Sequence, residues 1–316
     1  MPTIAFDIGS TFTRVAVGSE IIFQQPTCIA LEKKSRQVVT TGTAAYALLG
    51  KTAKNLDLLF PVSAGVVADT STLLAYLREV LKLQRRVLPS SFSSLVFGRK
   101  VLAACNPCCT VAQKARLNSV LQQAGLRATL VVRPESIAKE TSCVIDIGGG
   151  TTVCSVVTNG SHVQSHCIPW GGIQLTEYVQ RHLLETEQFA VGWHEAERLK
   201  RALAAVFTSH TLAKYRAHKS VVRGQDMTKR IGKTLVVTRE QLSTVIQPQA
   251  FELLDGIIVF FSRLPRELAS GIIEEGIVLV GGGSLLSGLA EFLQEKLACR
   301  VTVAKNPELV CVKGLV

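Results

Sequence analysis

No apolar run in this chain approaches the roughly 20 residues that a membrane-spanning helix needs; stretches such as 256–261 are far shorter. Met1-Pro2-Thr3 leads straight into a strand, so no secretory leader is expected. No dense Lys/Arg block with interleaved aromatics is present, although the net charge is +11. The basic excess therefore reads as a solvated surface, or as an attraction for nucleotide or anionic lipid, and no nucleic-acid partner is expected. Cys105, Cys108 and Cys109 cluster, but no second Cys/His group completes a zinc-ligand spacing. Cys143, Cys154 and Cys167 sit among apolar neighbours and read as free buried thiols in a reducing cytosol. A hydrophobic content of 47% against 19% charged residues excludes a disordered chain, and 316 residues suit two lobes.

What is present centres on residues 146–152, Asp-Ile-Gly-Gly-Gly-Thr-Thr, between two apolar runs. The pattern reads as strand, tight turn, strand. Glycines let the backbone approach a ligand closely, and successive N–H groups in such a turn can hold an anion. The leading Asp146 supplies a carboxylate suited to water-mediated Mg2+. A glycine-rich hairpin without a ligand is the alternative. Residues 7–11, Asp-Ile-Gly-Ser-Thr, repeat the pattern, the two aspartates lying 146 − 7 = 139 positions apart. An internal duplication explains the pair better than chance does. A third glycine turn, 281–284, follows the buried strand 277–280 and is expected to open a helix whose N–H groups face a ligand.

Helices are expected over about 44–49, from Asp69 or Thr70 to 83, over 112–124, 174–184 and 194–206, and from a Thr238 cap to about 263. Pro248 should kink or break the last of these.

Two Asp-x-Gly turns and a late Gly-Gly-Gly turn resemble the actin/sugar-kinase/heat-shock-chaperone ATPase superfamily. Within it, segments 61–69, 146–153, 196–200, 222–226, 276–289 and 307–314 resemble the MreB-like bacterial actins over nearly the whole chain. The resemblance implies an α/β, two-lobed actin-like ATPase fold with duplicated mixed-sheet subdomains. The first lobe would cover 1–140 with a small insert at about 32–60. The second would cover 141–316 with a small subdomain at about 173–245, the last residues packing back on lobe one. It implies ATP or ADP with Mg2+, self-assembly into filaments paired antiparallel, attachment to the inner face of the cytoplasmic membrane, and partners in cell-wall synthesis or morphogenesis.

By the same resemblance, Asp7 and Asp146 would hold Mg2+ through water. Gly9, Ser10, Thr11 and Phe12, with Gly148, Gly149, Gly150 and Thr151, would contact phosphate. Glu197 and Lys200, three apart on one helix face, would hold ribose and adenine, an exposed surface pair being the alternative. Gly282, Gly283 and Ser284 would line the α-phosphate and adenine side. Gln113 falls where the family places a water-positioning glutamate, so it and Thr151 would serve slow hydrolysis. An amide orients water but takes no proton. Residues 134–141 are shorter than in the family, Phe12 replaces a small polar residue, and the chain stops at Val316 where relatives continue. In the stretch 85–97, Leu88, Phe92, Leu95 and Phe97 follow two arginines and would insert into membrane, or pack into the lobe as a strand edge. A non-polymerising actin-fold adaptor is the second functional reading. A metabolic kinase would need a catalytic-base motif that is not found, and a heat-shock chaperone a further domain.

Overall fold

A computed structural model describes residues 3–51, 53–87, 101–132, 142–208 and 218–316. The first half opens with β1 (Ile4–Ile8), β2 (Phe12–Val17) and β3 (Glu20–Pro26). A smaller unit follows, with β4 (Ile29–Glu32), β5 (Val38–Thr41), helix α1 (Gly42–Tyr46) and β6 (Leu56–Leu59). The short hairpin β7 (Val62–Ser63) and β8 (Val66–Val67) leads to α2 (Thr70–Val87), β9 (Val101–Cys105), α3 (Val111–Gln123) and β10 (Ala128–Val132).

The second half repeats the plan. It has β11 (Ser142–Ile147), β12 (Thr152–Thr158) and β13 (Ser161–Ile168), then α4 (Gly172–Glu187). A small sheet is built from β14 (Phe189–Val191), β15 (Lys219–Asp226) and β16 (Ile231–Thr238), with α5 (Trp193–Leu203) between its first two strands. Helices α6 (Arg239–Phe261) and α7 (Arg266–Glu275), β17 (Ile277–Val280), α8 (Leu289–Leu297), β18 (Val301–Val303) and α9 (Val310–Lys313) complete the chain.

Each half has a five-stranded mixed sheet, ordered β10-β9-β1-β2-β3 and β13-β12-β11-β17-β18. In both, a hairpin supplies the central antiparallel pair and later strands add in parallel: Ile4 sits beside Val101 in one and Cys143 beside Ile277 in the other. Both central strands are apolar on both faces, as strands covered on both sides must be. One core gathers Phe6, Leu73, Tyr76 and Leu121, the other Ile145, Val179, Leu253 and Phe292. The closing helix α9 returns to the first sheet, where Cys311 and Val312 pack on Ala5, Ala16 and Leu102.

Asp69 caps α2: its Oδ1 accepts from the Ser71 hydroxyl at 2.7 Å and from the Thr72 N–H. These bonds hold its carboxyl below the ordinary aspartate value of 3.8. Asp69→Ala is expected to cost about 1 kcal/mol in chemical denaturation. A depressed pKa stabilises the fold above the unfolded value, so the difference from wild type is full at neutral pH. It shrinks as pH falls below 3.8 and the carboxylate protonates.

Several expectations are corrected. Of the kink or break expected at Pro248, the break does not occur: helix α6 continues through it, its Leu242, Ile246, Leu253 and Ile257 buried in a core that overrides the local preference. Among the described residues, α6 is also the one helix long and apolar enough to cross a membrane, but that same face lies in the core. The third glycine turn starts only a 3₁₀ turn, Gly282–Leu285; the α-helix waits until Leu289. Adjacent glycines carry the full backbone entropy cost and do not sustain a helix. Cys167 is not a free thiol: it forms a disulfide with Cys108, Cα–Cα 6.3 Å, joining the loop before α3 to β13 of the other half. Leu88, Phe92, Leu95 and Phe97, and the segment 134–141, lie outside the described residues.

Candidate functional site

The two aspartate turns are built alike. Gly9 N–H donates to the Phe12 carbonyl and Gly148 N–H to the Thr151 carbonyl, each at 2.9 Å. The duplication seen in sequence is therefore repeated in the hydrogen bond that closes each turn. The turns also meet. A Cβ on Gly149 would overlap the Thr11 side chain, and one on Gly150 would press on Ser10. Ser10 Oγ in turn accepts from Gly65 N–H at 3.0 Å. The second turn is tied down from behind, where Gly172 N–H donates to Gly148 O and Ile173 N–H to Gly149 O, at 3.1 and 2.8 Å.

The third turn closes on the second. Gly281 has φ +79°, and a Cβ there would overlap the Asp146 carboxylate and the Ile147 carbonyl. Its N–H donates to Pro307 O at 2.9 Å, so the closing segment holds the turn in place.

The three turns border one cavity of about 550 Å³, within the size range of small-molecule and cofactor sites. Asp7, Gly9, Ser10, Thr11 and Phe12 line it from the first half. Asp146, Gly148, Gly149, Gly150 and Thr151 line it from the second, with Gly282 and Gly283 above. Asp7 is 6% exposed. Among the described residues no group of three or more His, Cys, Asp or Glu gathers for a metal. Asp7 and Asp146 both line the cavity beside the turns, and two such carboxylates fit Mg2+, which keeps most of its water and takes one or two carboxylates plus phosphate oxygens.

Glu197 and Lys200 are not an exposed pair. Lys200 Nζ lies 2.6 Å from Glu197 Oε2, with the two side chains 12% and 19% exposed. Lys200 also donates to Gly172 O at 2.7 Å and to Thr176 Oγ1 at 2.9 Å. Burial pulls its ammonium below the ordinary lysine range, against the opposing attraction of Glu197. Burial alone would raise Glu197, but the charge and hydrogen bond of Lys200, with Thr176 and Arg201, bring its carboxyl below the ordinary range. The charge of Lys200 and three hydrogen bonds to the carboxylate outweigh burial, and Glu197 is ionised at neutral pH.

Two expected site residues lie elsewhere. Ser284 does not line the cavity: it is 3% exposed, and its hydroxyl donates to Gly281 O at 2.7 Å, bracing the turn from within. Gln113 sits at the third position of α3 in a capping box, its Oε1 accepting from Thr110 N–H at 2.8 Å, and it is not among the cavity's lining residues. A Thr-x-x-Gln spacing at a helix start carries that signal.

Sequence reasoning missed Arg14, Tyr46 and Trp193, which also line the cavity. Trp193 Nε1 donates to Tyr46 Oη at 2.7 Å across 147 residues, joining the small units of the two halves over the cavity. Tyr46 also meets the His194 ring edge-on, centroids 4.9 Å apart.

Known proteins share this architecture. The chain is 28% identical to the cell shape-determining protein Mbl of Bacillus subtilis, over 96% of this chain and 91% of that protein. It is 26% identical to the cell shape-determining protein MreB of Escherichia coli, over 98% and 90%. The crystal structure of MreB5 of Spiroplasma citri bound to ADP superposes with TM-score 0.89 at 22% identity, over 99% and 94% of the two chains. The MamK double helical filament superposes with TM-score 0.78 at 18% identity, over 99% and 97%. The family described as MreB/Mbl protein matches residues 1–316, and the chain belongs to that family.

Proposed function

We propose that this chain is an actin-like ATPase that binds ATP with Mg2+ in the cleft and assembles into filaments. Those filaments pair antiparallel on the inner face of the cytoplasmic membrane and organise cell-shape or cell-wall synthesis. The observation that carries the reading is the meeting of two matching Asp–Gly turns and a third glycine turn over one cavity of about 550 Å³. MreB5 crystallised with ADP and with AMPPNP, and the MamK filament, support it by likeness.

Gly9 and Gly148 use their N–H groups within the turns, so phosphate contacts fall to the N–H groups that follow, at Ser10 to Phe12 and Gly149 to Thr151. Asp7 and Asp146 would hold Mg2+ through water; when bound, the ion neutralises phosphate charge. Glu197 and Lys200 would face the nucleoside. Gln113 would orient the attacking water after leaving Thr110, with Thr151 opposite it, since phosphoryl transfer depends chiefly on positioning and electrostatics. Leu88, Phe92, Leu95 and Phe97 would anchor the filament on anionic lipid; liposome co-sedimentation of Phe92→Ser tests this, and full binding removes that residue from the anchor.

Electron microscopy of the full chain on anionic liposomes is expected to show filaments with ATP and none without. Single particles under every condition would favour the non-polymerising adaptor. In single-turnover phosphate release, Gln113→Ala is expected to slow hydrolysis by about tenfold or more through lost positioning. An unchanged rate would leave Gln113 a helix cap only.

A further inference from the structure

We propose that Arg14 is a phosphate-directed cation of the cleft, which lets the pocket hold a nucleoside polyphosphate with a weakened need for a divalent ion. The inference rests on the nucleotide reading above.

The duplication isolates the residue. Arg14 stands opposite Asp7 across the first hairpin, and the matching position opposite Asp146 is Val153. The same turn is thus built without a charge, so folding the hairpin does not require an arginine. Arg14 lines the same cavity as both phosphate turns, with its side chain 12% exposed.

Its bonding is unfinished. Nη1 lies 4.0 Å from Asp7 Oδ2, well beyond the roughly 2.7–2.9 Å of a charge-assisted hydrogen bond. The buried Nε has no hydrogen-bond partner. A buried donor left unsatisfied is costly, and a guanidinium presents five donors in a fork that matches phosphate oxygens. The Phe12 ring lies under it, 5.3 Å from Cζ to centroid, and steadies it at the first turn. This accounts for an aromatic residue where a small polar one was expected.

Among the described residues that line the cavity, the other cations are engaged. Lys200 and Arg201 are both paired with Glu197. Arg14 and a divalent ion therefore address the same Asp7 and the same phosphates, and each can cover part of the other's charge.

The test is equilibrium titration of the full chain with a fluorescent ATP analogue, in Mg2+ and in EDTA, with adenosine as a phosphate-free competitor. Arg14→Val copies the residue that the second repeat already folds around. It is expected to weaken ATP binding about tenfold in Mg2+, the scale of a lost charge-assisted contact, and by a larger factor in EDTA. Adenosine competition should not change. Should Arg14→Val fail a thermal-unfolding check, Arg14→Gln is held to the same outcomes. Equal ATP affinities for wild type and variant in both conditions would overturn the proposal while leaving the nucleotide reading standing. A wild-type chain that binds no ATP would overturn both.

Discussion

Gly281→Ala is expected to lose about 3 kcal/mol of stability, from overpacking against backbone and a left-handed φ on a residue with a Cβ, and to abolish nucleotide binding. The new methyl group would fall on the Asp146 carboxylate and the Ile147 carbonyl, and Gly281 has φ +79°. The Ile147 carbonyl cannot step aside. The carbonyl belongs to β11, paired in parallel with β17 from Cys143 to Asp146. On the other side Pro307 O holds the Gly281 N–H. Relief must come from moving the turn away from Asp146, which opens the cleft at its proposed metal handle. Gly282→Ala is the internal control, because a Cβ there meets nothing within 4 Å. Its stability should stay within about 0.5 kcal/mol of wild type, as at sites free of packing and strain. Its Cβ would occupy open space in a residue that lines the cavity, so any effect should appear in ligand affinity alone. Urea denaturation and nucleotide titration of both variants check this. Equal losses of stability would show that the turn tolerates no side chain anywhere, and the distinction between its structural and ligand-facing glycines would fail.

The aspartate turns were legible in sequence because their chemistry is local. A carboxylate, a glycine and a short turn must be neighbours in the chain, and the repeat at 139 positions marks both. The two-sheet plan followed from the same repeat. Side-chain direction was not legible. Ser284 matches a ligand-binding pattern, yet its hydroxyl returns to its own turn at Gly281 O. Gln113 matches a water-positioning residue by its place in the family resemblance, and equally a helix cap by spacing; the cap is what forms here. Contacts between distant segments left no local trace either. Tyr46 and Trp193 meet across 147 residues, and Cys108 and Cys167 across 59. Arg14 did carry a signal: it is a charge at the head of the buried run Val15-Ala16, opposite a buried aspartate.

Lys200→Met is expected to cost about 3 kcal/mol, the lower end for breaking a buried ion pair. The lower end applies because Arg201 Nε still donates to Glu197 Oε1 at 2.8 Å, though its own side chain is 65% exposed. The loss is more than one ion pair. Lys200 on α5 donates to Gly172 O at the start of α4, and the next backbone contacts run from Gly172 and Ile173 into Gly148 and Gly149. Removing the ammonium therefore loosens the support of the second phosphate turn, and nucleotide affinity should fall together with stability. The double variant Lys200→Met/Glu197→Gln should recover part of the stability, because no charge is then left buried without its partner, but not the affinity. The pH dependence separates the pair from simple packing. In the wild type Glu197 has a lowered pKa, so its contribution is full above the ordinary glutamate value of 4.5 and fades as pH falls through the folded value. In Lys200→Met, burial, the largest influence on Glu197, acts with weaker opposition and raises the pKa. Protonation then relieves the buried charge, so the gap between variant and wild type should narrow as pH drops toward and below the ordinary glutamate value of 4.5. A gap constant over that range, measured by urea denaturation, would assign the loss to packing of the lysine stem and remove the ion pair from the account of how the second turn is held.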